Sequence, residues 1–350
     1  MNKLPCCTFQ VNYARNSASR MIAESESANI ARWNGEHGHY EVYYIKFNHR
    51  QSSTGYWIRY TLLSPLNGPA VAELWGIFFD SKNPANNIAI KNTFPMSDAE
   101  IKKDTFLFRI NDAVISQTGT KGTLNDATNV MHWDLRFEQV SGLFFHFPHR
   151  FMYRTATPKT KVVSPNFDIR IHGKIAINNR VYECSGEPGQ QTHIWGTKHA
   201  ERWTWANSSI FKEDSSAIFE GLSAQVKIGN RPSPALTLFF LRCLGKDHCL
   251  NGLVQLFRNK SESAFPVWRF SAKQGHMRFS GEIKAGLESF VGVEYTDPDR
   301  EKLWCYNTKV ADMRLEVFER DKKIITLTSD KSCALEFVSR VKDPRVPIRI

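Results

Sequence analysis

Between Gly186 and Trp205 the chain gathers His193, Trp195, His199, Glu201, Arg202, Trp203 and Trp205 behind a glycine-rich turn. If the segment is extended, Glu201, Trp203 and Trp205 share one face, Arg202 and Thr204 the other, and His193 and Trp195 lie together. A carboxyl group desolvated against indoles keeps its proton near neutrality and can give it to an alkene. The indole faces would then stabilise the resulting cation. Glu201 is therefore the candidate acid, His193 and His199 are further proton-handling candidates, and Trp195, Trp203, Trp205 and Arg202 are candidate ligand walls. The alternative is that the tryptophans are core packing and the histidines satisfy buried backbone groups. The two histidines, with Cys184 nearby, do not have the spacing of a compact zinc motif, so no metal is expected.

A second group of candidates lies in the first half of the chain. Glu41, Tyr43 and Arg59 fall on two adjacent apolar runs, with Glu41 and Tyr43 on one face and Tyr40 and Tyr44 on the other. Trp133 lies between His132 and Asp134, which share a face and suggest a surface ion pair. No GxxxxGK[ST], GxSxG, HExxH or helix-opening GxGxxG is present, which disfavours ATPase, α/β-hydrolase, zincin and Rossmann readings, and no cofactor is expected.

These residues must be carried by strands. After Gly35 the chain consists of short runs rich in Val, Ile, Phe, Tyr, Trp and Thr, punctuated by Gly, Pro, Asn and Asp. Asn129 to Gln139 alternates between apolar and polar residues, which predicts one buried face. Phe167 to Ile177 and Arg180 to Cys184 predict a hairpin about Asn178-Asn179, because Asn tolerates positive φ. Leu253 to Arg258 is read as another strand. Tyr13 to Asn29 is read as a short leading helix. So many strands exceed one barrel, and the expected fold is all-β, with two antiparallel β-barrel or sandwich domains in tandem. The expected divisions are an N-terminal arm over 1–32, a first domain over 33–200 and a second over 201–350.

The 350 residues, 41% hydrophobic and 12% aromatic, can bury sizeable cores. The formal charge of +11 is spread along the chain without runs, so nucleic acid is not expected as a partner, while peripheral contact with an anionic membrane stays open. The cysteine count is odd, at seven, and the spacing suggests reduced thiols. Neither a signal-peptide core nor a spanning run is evident, giving an expected cytoplasmic location. The oligomeric state is not fixed by the sequence.

Trp133-Asp134-Leu135, the Pro158 and Pro165 segment, Ile171-His172-Gly173, His193-Ile194-Trp195-Gly196 and Glu201-Arg202-Trp203-Thr204-Trp205 together resemble the tandem lipocalin-like (calycin-like) superfamily. It contains the carotenoid 1,2-hydratases (hydroxyneurosporene synthases), AttH-type proteins and tocopherol cyclases, with fungal Diels–Alderases as structural neighbours. The resemblance covers most of Trp33 to Phe211, and the second half shares its rhythm of strands. It implies two lipocalin-like domains and an elongated apolar cavity, inside the first barrel or between the domains, for a hydrophobic isoprenoid or other lipid-like molecule. It also implies cofactor-independent, acid-assisted addition or cyclisation. Two other readings remain: a non-catalytic carrier of a hydrophobic ligand, and a structural or stress-related interaction protein with a filled core.

Overall fold

Residues 15–229 and 231–350 are described in the computed structural model of the chain, so residues 1–14 of the expected arm, with Cys6 and Cys7, lie outside them. A helix, α1 (Arg15–Asn29), leads into β1 (His39–His49), β2 (Thr54–Ser64), β3 (Val71–Asp80), β4 (Ile88–Pro95), β5 (Ala99–Ile101), β6 (Leu107–Ile110), β7 (Ala113–Ser116), β8 (Gly119–Asn125), β9 (Val130–Ser141), β10 (Phe144–Phe145), β11 (Thr160–Ile177) and β12 (Arg180–Gly196). The second half contains β13 (Arg202–Ser208), β14 (Ile218–Gln225), β15 (Lys227–Ile228), β16 (Arg231–Pro232), β17 (Leu236–Cys243), β18 (Lys246–Leu250), β19 (Lys260–Ala264), β20 (Val267–Gln274), β21 (Met277–Lys284), β22 (Val291–Thr296), β23 (Lys302–Glu319) and β24 (Lys322–Ser339).

One antiparallel plan occurs twice. The first sheet runs β4-β3-β2-β1-β12-β11-β9-β8-β7-β6-β5 with β10 on β11, and the second runs β18-β17-β14-β13-β24-β23-β21-β20-β19 with β22 on β23. Each sheet curls on itself: Asn92 Nδ2 reaches the Asn125 carbonyl at 3.2 Å in the first, and Gln274 Nε2 reaches the Cys249 carbonyl at 3.0 Å in the second. The fold is therefore all-β, as two lipocalin-like barrels in tandem.

The barrels meet through the outer faces of their first and last strands. On β1, Tyr43, Ile45 and Phe47 point into the first barrel, while Tyr40, Val42 and Tyr44 join Trp57, Trp75, Ile77 and Phe79 against Trp205, Val291, Val293, Tyr295 and Val338 of the second. Every residue of β1 is consequently buried. By contrast β9 alternates between exposed and buried positions along most of its length, because its outer face meets water.

The two strands of the central hairpin are longer than the sequence suggests. Pro165 lies inside β11, where the pairing with β12 shifts register between Val163 and Asn166, and such a bulge accommodates a residue without a ladder N–H. Two motif glycines are explained by close approach: a Cβ on Gly173, at φ +121, would meet the Asp134 carbonyl oxygen at 2.1 Å, and one on Gly196 would meet that of Lys159 at 2.1 Å. The turn at Asn178 has the positive φ that its residue type predicts, at 52°.

Leu253–Arg258 is a helix, α2, and not a strand. Gly252 N–H is capped by the Gln255 side chain, and only Leu256 is buried. A single buried position in so short an apolar run leaves its period undetermined. Cys184, Cys243, Cys305 and Cys333 are buried free thiols, whereas Cys249 is disulfide-bonded, against the expectation of reduced thiols throughout.

Candidate functional site

At the mouth of the first barrel, Glu41 and Tyr43 on β1 face Trp195 and His193 on β12. Glu41 is fully buried and accepts hydrogen bonds from Arg32 N at 2.8 Å, Trp33 N at 2.9 Å, Tyr43 Oη at 2.9 Å and His193 Nε2 at 2.7 Å. His39 Nε2 stands 3.4 Å away, without hydrogen-bond geometry. Burial alone would raise the Glu41 pKa, but the hydrogen bonds from His193 and the Arg32 backbone outweigh it and hold the carboxyl well below its ordinary range. His193 gives its other nitrogen to the Ala28 carbonyl at 2.9 Å, so both of its nitrogens face acceptors. Gln191 and Asn29 exchange amide hydrogen bonds at 2.9 Å. The cluster thereby pins α1 and residues 30–33 across the barrel end.

Between the barrels lies a longer polar and aromatic seam. His199 stacks on Tyr40 with centroids 4.1 Å apart and on Trp203 at 5.7 Å. Burial pulls its pKa down against the opposing pull of Asp297, whose Oδ1 lies 2.7 Å from Nδ1. Asp297, Asp299 and Glu301 converge, but Lys198 binds Asp299 and Glu301 while Arg340 binds Asp297 and Glu301, so the cluster already holds its cations. Arg59 lies 4.8 Å from the Trp75 ring centre and 4.4 Å from that of Tyr295.

Deeper in the seam, Glu220 on β14 is sealed, with four donors on its carboxylate. His146 Nε2 at 2.9 Å and Trp205 Nε1 at 2.8 Å share Oε1, while Asn207 Nδ2 at 2.8 Å and Gln190 Nε2 at 3.3 Å share Oε2. His146 and Glu220 are each 1% exposed. Since Glu220 accepts, His146 Nε2 carries the proton, and His146 Nδ1 has no hydrogen-bond partner among the described residues. Gln190 Oε1 and Asn207 Oδ1 are likewise unpartnered. Phe144 and Phe240, which are part of one apolar cluster, wall this group, with the Phe144 ring 4.7 Å from that of His146. Burial lowers the pKa of nearby Lys46 to about 8 and does the same for Lys309.

Room is found elsewhere. A cavity of about 400 Å³ opens at the mouth of the second barrel, with Trp203, Phe265, Tyr306 and Phe337 among its apolar lining and Thr204, Ser223, Ser261 and Ser263 among its hydroxyls. Tyr306 Oη donates to the Asp343 carbonyl at 2.9 Å, and Arg345 binds the Asp343 carboxylate at 2.5 Å, so neither is free to move a proton.

Tocopherol cyclase-like proteins, as a family, match residues 85–338 of this sequence. The chain belongs to the tocopherol cyclase-like family. Two uncharacterized proteins of Mycobacterium tuberculosis, from strains CDC 1551 / Oshkosh and H37Rv, are each 24% identical to it over 86% of this chain and 88% of theirs. Among solved structures, a Nitrosomonas europaea protein described as an AttH superposes with a TM-score of 0.52 at 8% identity, covering 96% of this chain and 99% of that one. Kievitone hydratase from Nectria haematococca gives 0.52 at 7% identity, covering 85% and 88%. At such identities the likeness concerns the fold alone.

In this tocopherol cyclase-like chain the sequence candidates fall into separate places. His193, Trp195, Glu41 and Tyr43 meet at the first mouth, whereas His199, Trp203, Trp205 and Arg59 line the seam. Trp133 is neither, being packed in the first core with Nε1 on Thr120 at 3.0 Å. His132 pairs with Thr123 at 3.0 Å and makes no ion pair with Asp134. Arg202 is exposed at the second mouth and donates to Gln225. Glu201 precedes β13 and faces Arg340 at 3.3 Å, so it is not the carboxylate held by indoles. Those are Glu220, bonded to Trp205, Glu336, bonded to Trp203 at 3.0 Å, and Glu73, bonded to Trp75 at 3.1 Å. Glu220 and His146 were not singled out from the sequence. Their one signal is a charged residue within each apolar run, Ile218-Phe219-Glu220-Gly221 and Phe144-Phe145-His146-Phe147.

Proposed function

We propose that the protein adds water to, or cyclises, a hydrophobic isoprenoid or lipid-like molecule, with His146 and Glu220 moving the proton. The observation that carries this reading is the sealed pair with His146 Nδ1 unpartnered toward an aromatic wall. A histidine held at one nitrogen by a carboxylate and free at the other has the arrangement of an acid–base catalyst. The doubly protonated ring gives a proton to one alkene carbon, and Trp205 and Phe144 face the cation that forms. Water or an internal hydroxyl then attacks that cation, and the proton it loses returns to His146. Such chemistry calls on no redox or nucleotide cofactor. The pair is sealed, so substrate reaches it only when the domains part along the seam.

The test is incubation of the purified protein with hydrophobic extracts of its host in heavy water. The wild type is expected to place one deuterium on carbon in each product molecule, and His146→Ala and Glu220→Gln to lose the label while retaining bound compounds. Unchanged labelling in both variants would falsify the assignment. The second-barrel cavity favours one further reading, a non-catalytic carrier, because it offers room while the tyrosine and the carboxylate in its lining are both held by hydrogen bonds. Bound compound without any label in the wild type would establish that reading.

A further inference from the structure

Arg59 is 6% exposed, yet it forms no ion pair with any described residue. Its one hydrogen bond runs from Nε to Thr61 Oγ1 at 2.8 Å, which leaves the terminal guanidinium nitrogens without a protein acceptor among the described residues. Three rings surround it, with centres at 5.7 Å for Trp57, 4.8 Å for Trp75 and 4.4 Å for Tyr295. The neighbouring carboxylates are committed elsewhere: Glu73 to Lys91 and the Trp75 indole, Asp297 to His199 and Arg340, and Glu336 to the Trp203 indole.

A guanidinium does not shed its charge inside a protein, and burying it without a counter-anion is costly. Aromatic faces recover part of that cost, but they leave the N–H fork unused. The fork suits the two oxygens of a carboxylate or phosphate. From Arg59 an aromatic wall leads along the seam through Trp57, Tyr44 and Trp205, with successive ring centres 6.1 and 6.0 Å apart. We propose that Arg59 is the anchor for the oxyanion head of an amphiphilic ligand. This goes beyond the proton chemistry of His146, because it requires binding alone.

The experiment titrates the purified full chain with dodecanoate, methyl dodecanoate and inorganic phosphate, following tryptophan fluorescence. Phenylglyoxal modification with peptide mapping then reads the protection of Arg59 itself. Dodecanoate is expected to bind about tenfold or more tightly than its ester and to protect Arg59, with Arg59→Met abolishing the preference. Protection by phosphate alone would identify a free oxyanion as the source of the same chemistry. If Arg59→Met does not fold, the wild-type comparison and the mapping still decide. Equal binding of acid and ester with Arg59 unprotected by either anion overturns the proposal. So does an acid preference that persists unchanged in Arg59→Met. The deuterium experiment reads turnover and this one reads binding, so each can fail without the other.

Discussion

The first barrel ends in a carboxylate and a histidine beneath a helix, whereas the second ends in hydroxyls and aromatic rings around open space. Strand pairing makes the comparison element by element. β10 pairs with β11 beside the register shift after Val163, and β22 pairs with β23 beside the one after Thr308. What differs is the use of the strand ends. The most chemically equipped residues, around His193 and Trp195, work as a latch, while the plainer end keeps the room.

The largest expected effect breaks the latch. Glu41→Leu leaves His193, Tyr43 and two backbone N–H groups without their acceptor, and denaturant unfolding is expected to show a loss of about 3–5 kcal/mol. A cost near that of an ordinary surface change would mean that the first mouth is not pinned. Ser263→Trp should fill the second mouth, weakening retention of co-purified hydrophobic compounds about tenfold or more while stability stays within about 0.5 kcal/mol. Undiminished retention would move the ligand out of that cavity.

A milder contrast is in pH. Burial pushes the Asp297 pKa up, but hydrogen bonds from His199 and Arg340 prevail and bring it down to about 2. Its folded value lies below the ordinary 3.8. The stabilisation is therefore complete above that ordinary value and is lost as pH falls toward the folded one. Thermal unfolding of Asp297→Asn should accordingly depend less on pH in that interval than the wild type does. Identical slopes would remove Asp297 from the acid response. Smallest of all, Arg202→Gln should shift stability by no more than about 0.5 kcal/mol, because Arg202 is exposed at the second mouth and holds down no helix. A loss as large as that from Glu41→Leu would erase the contrast.

Local pattern made part of this legible from sequence. The alternation of β9 and the Asn178 turn follow from neighbours in the chain, and both lie where one sheet face meets water. The seam does not announce itself, because β1 is buried on both faces and its tyrosines read alike on each. Strand continuity was hidden for a related reason: register shifts carry β11 past Pro165 and β23 past Ala311, so breaks in the pattern are not breaks in the strand. The pair His146 and Glu220 lies 74 residues apart and Glu41 and His193 lie 152 apart, so neither could be joined by spacing. Glu201 adjoins two tryptophans in sequence, yet it lies just outside β13 and does not share the phase of that strand.

The position of β12 between β1 and β11 also has a consequence for synthesis on the ribosome. The first barrel cannot close until residue 196 has emerged, so α1, made early, must wait for Gln191 and His193 before it can seat. The second barrel repeats the delay, since β13 pairs with β24. Meanwhile Tyr40, Tyr44, Trp57 and Trp75 on the completed first barrel have no cover, because their partners on β22 to β24 are still unmade. Translation therefore passes through an interval in which a folded barrel presents an aromatic face to its surroundings. Such a nascent chain is a natural client for chaperones and a hazard when overproduced quickly.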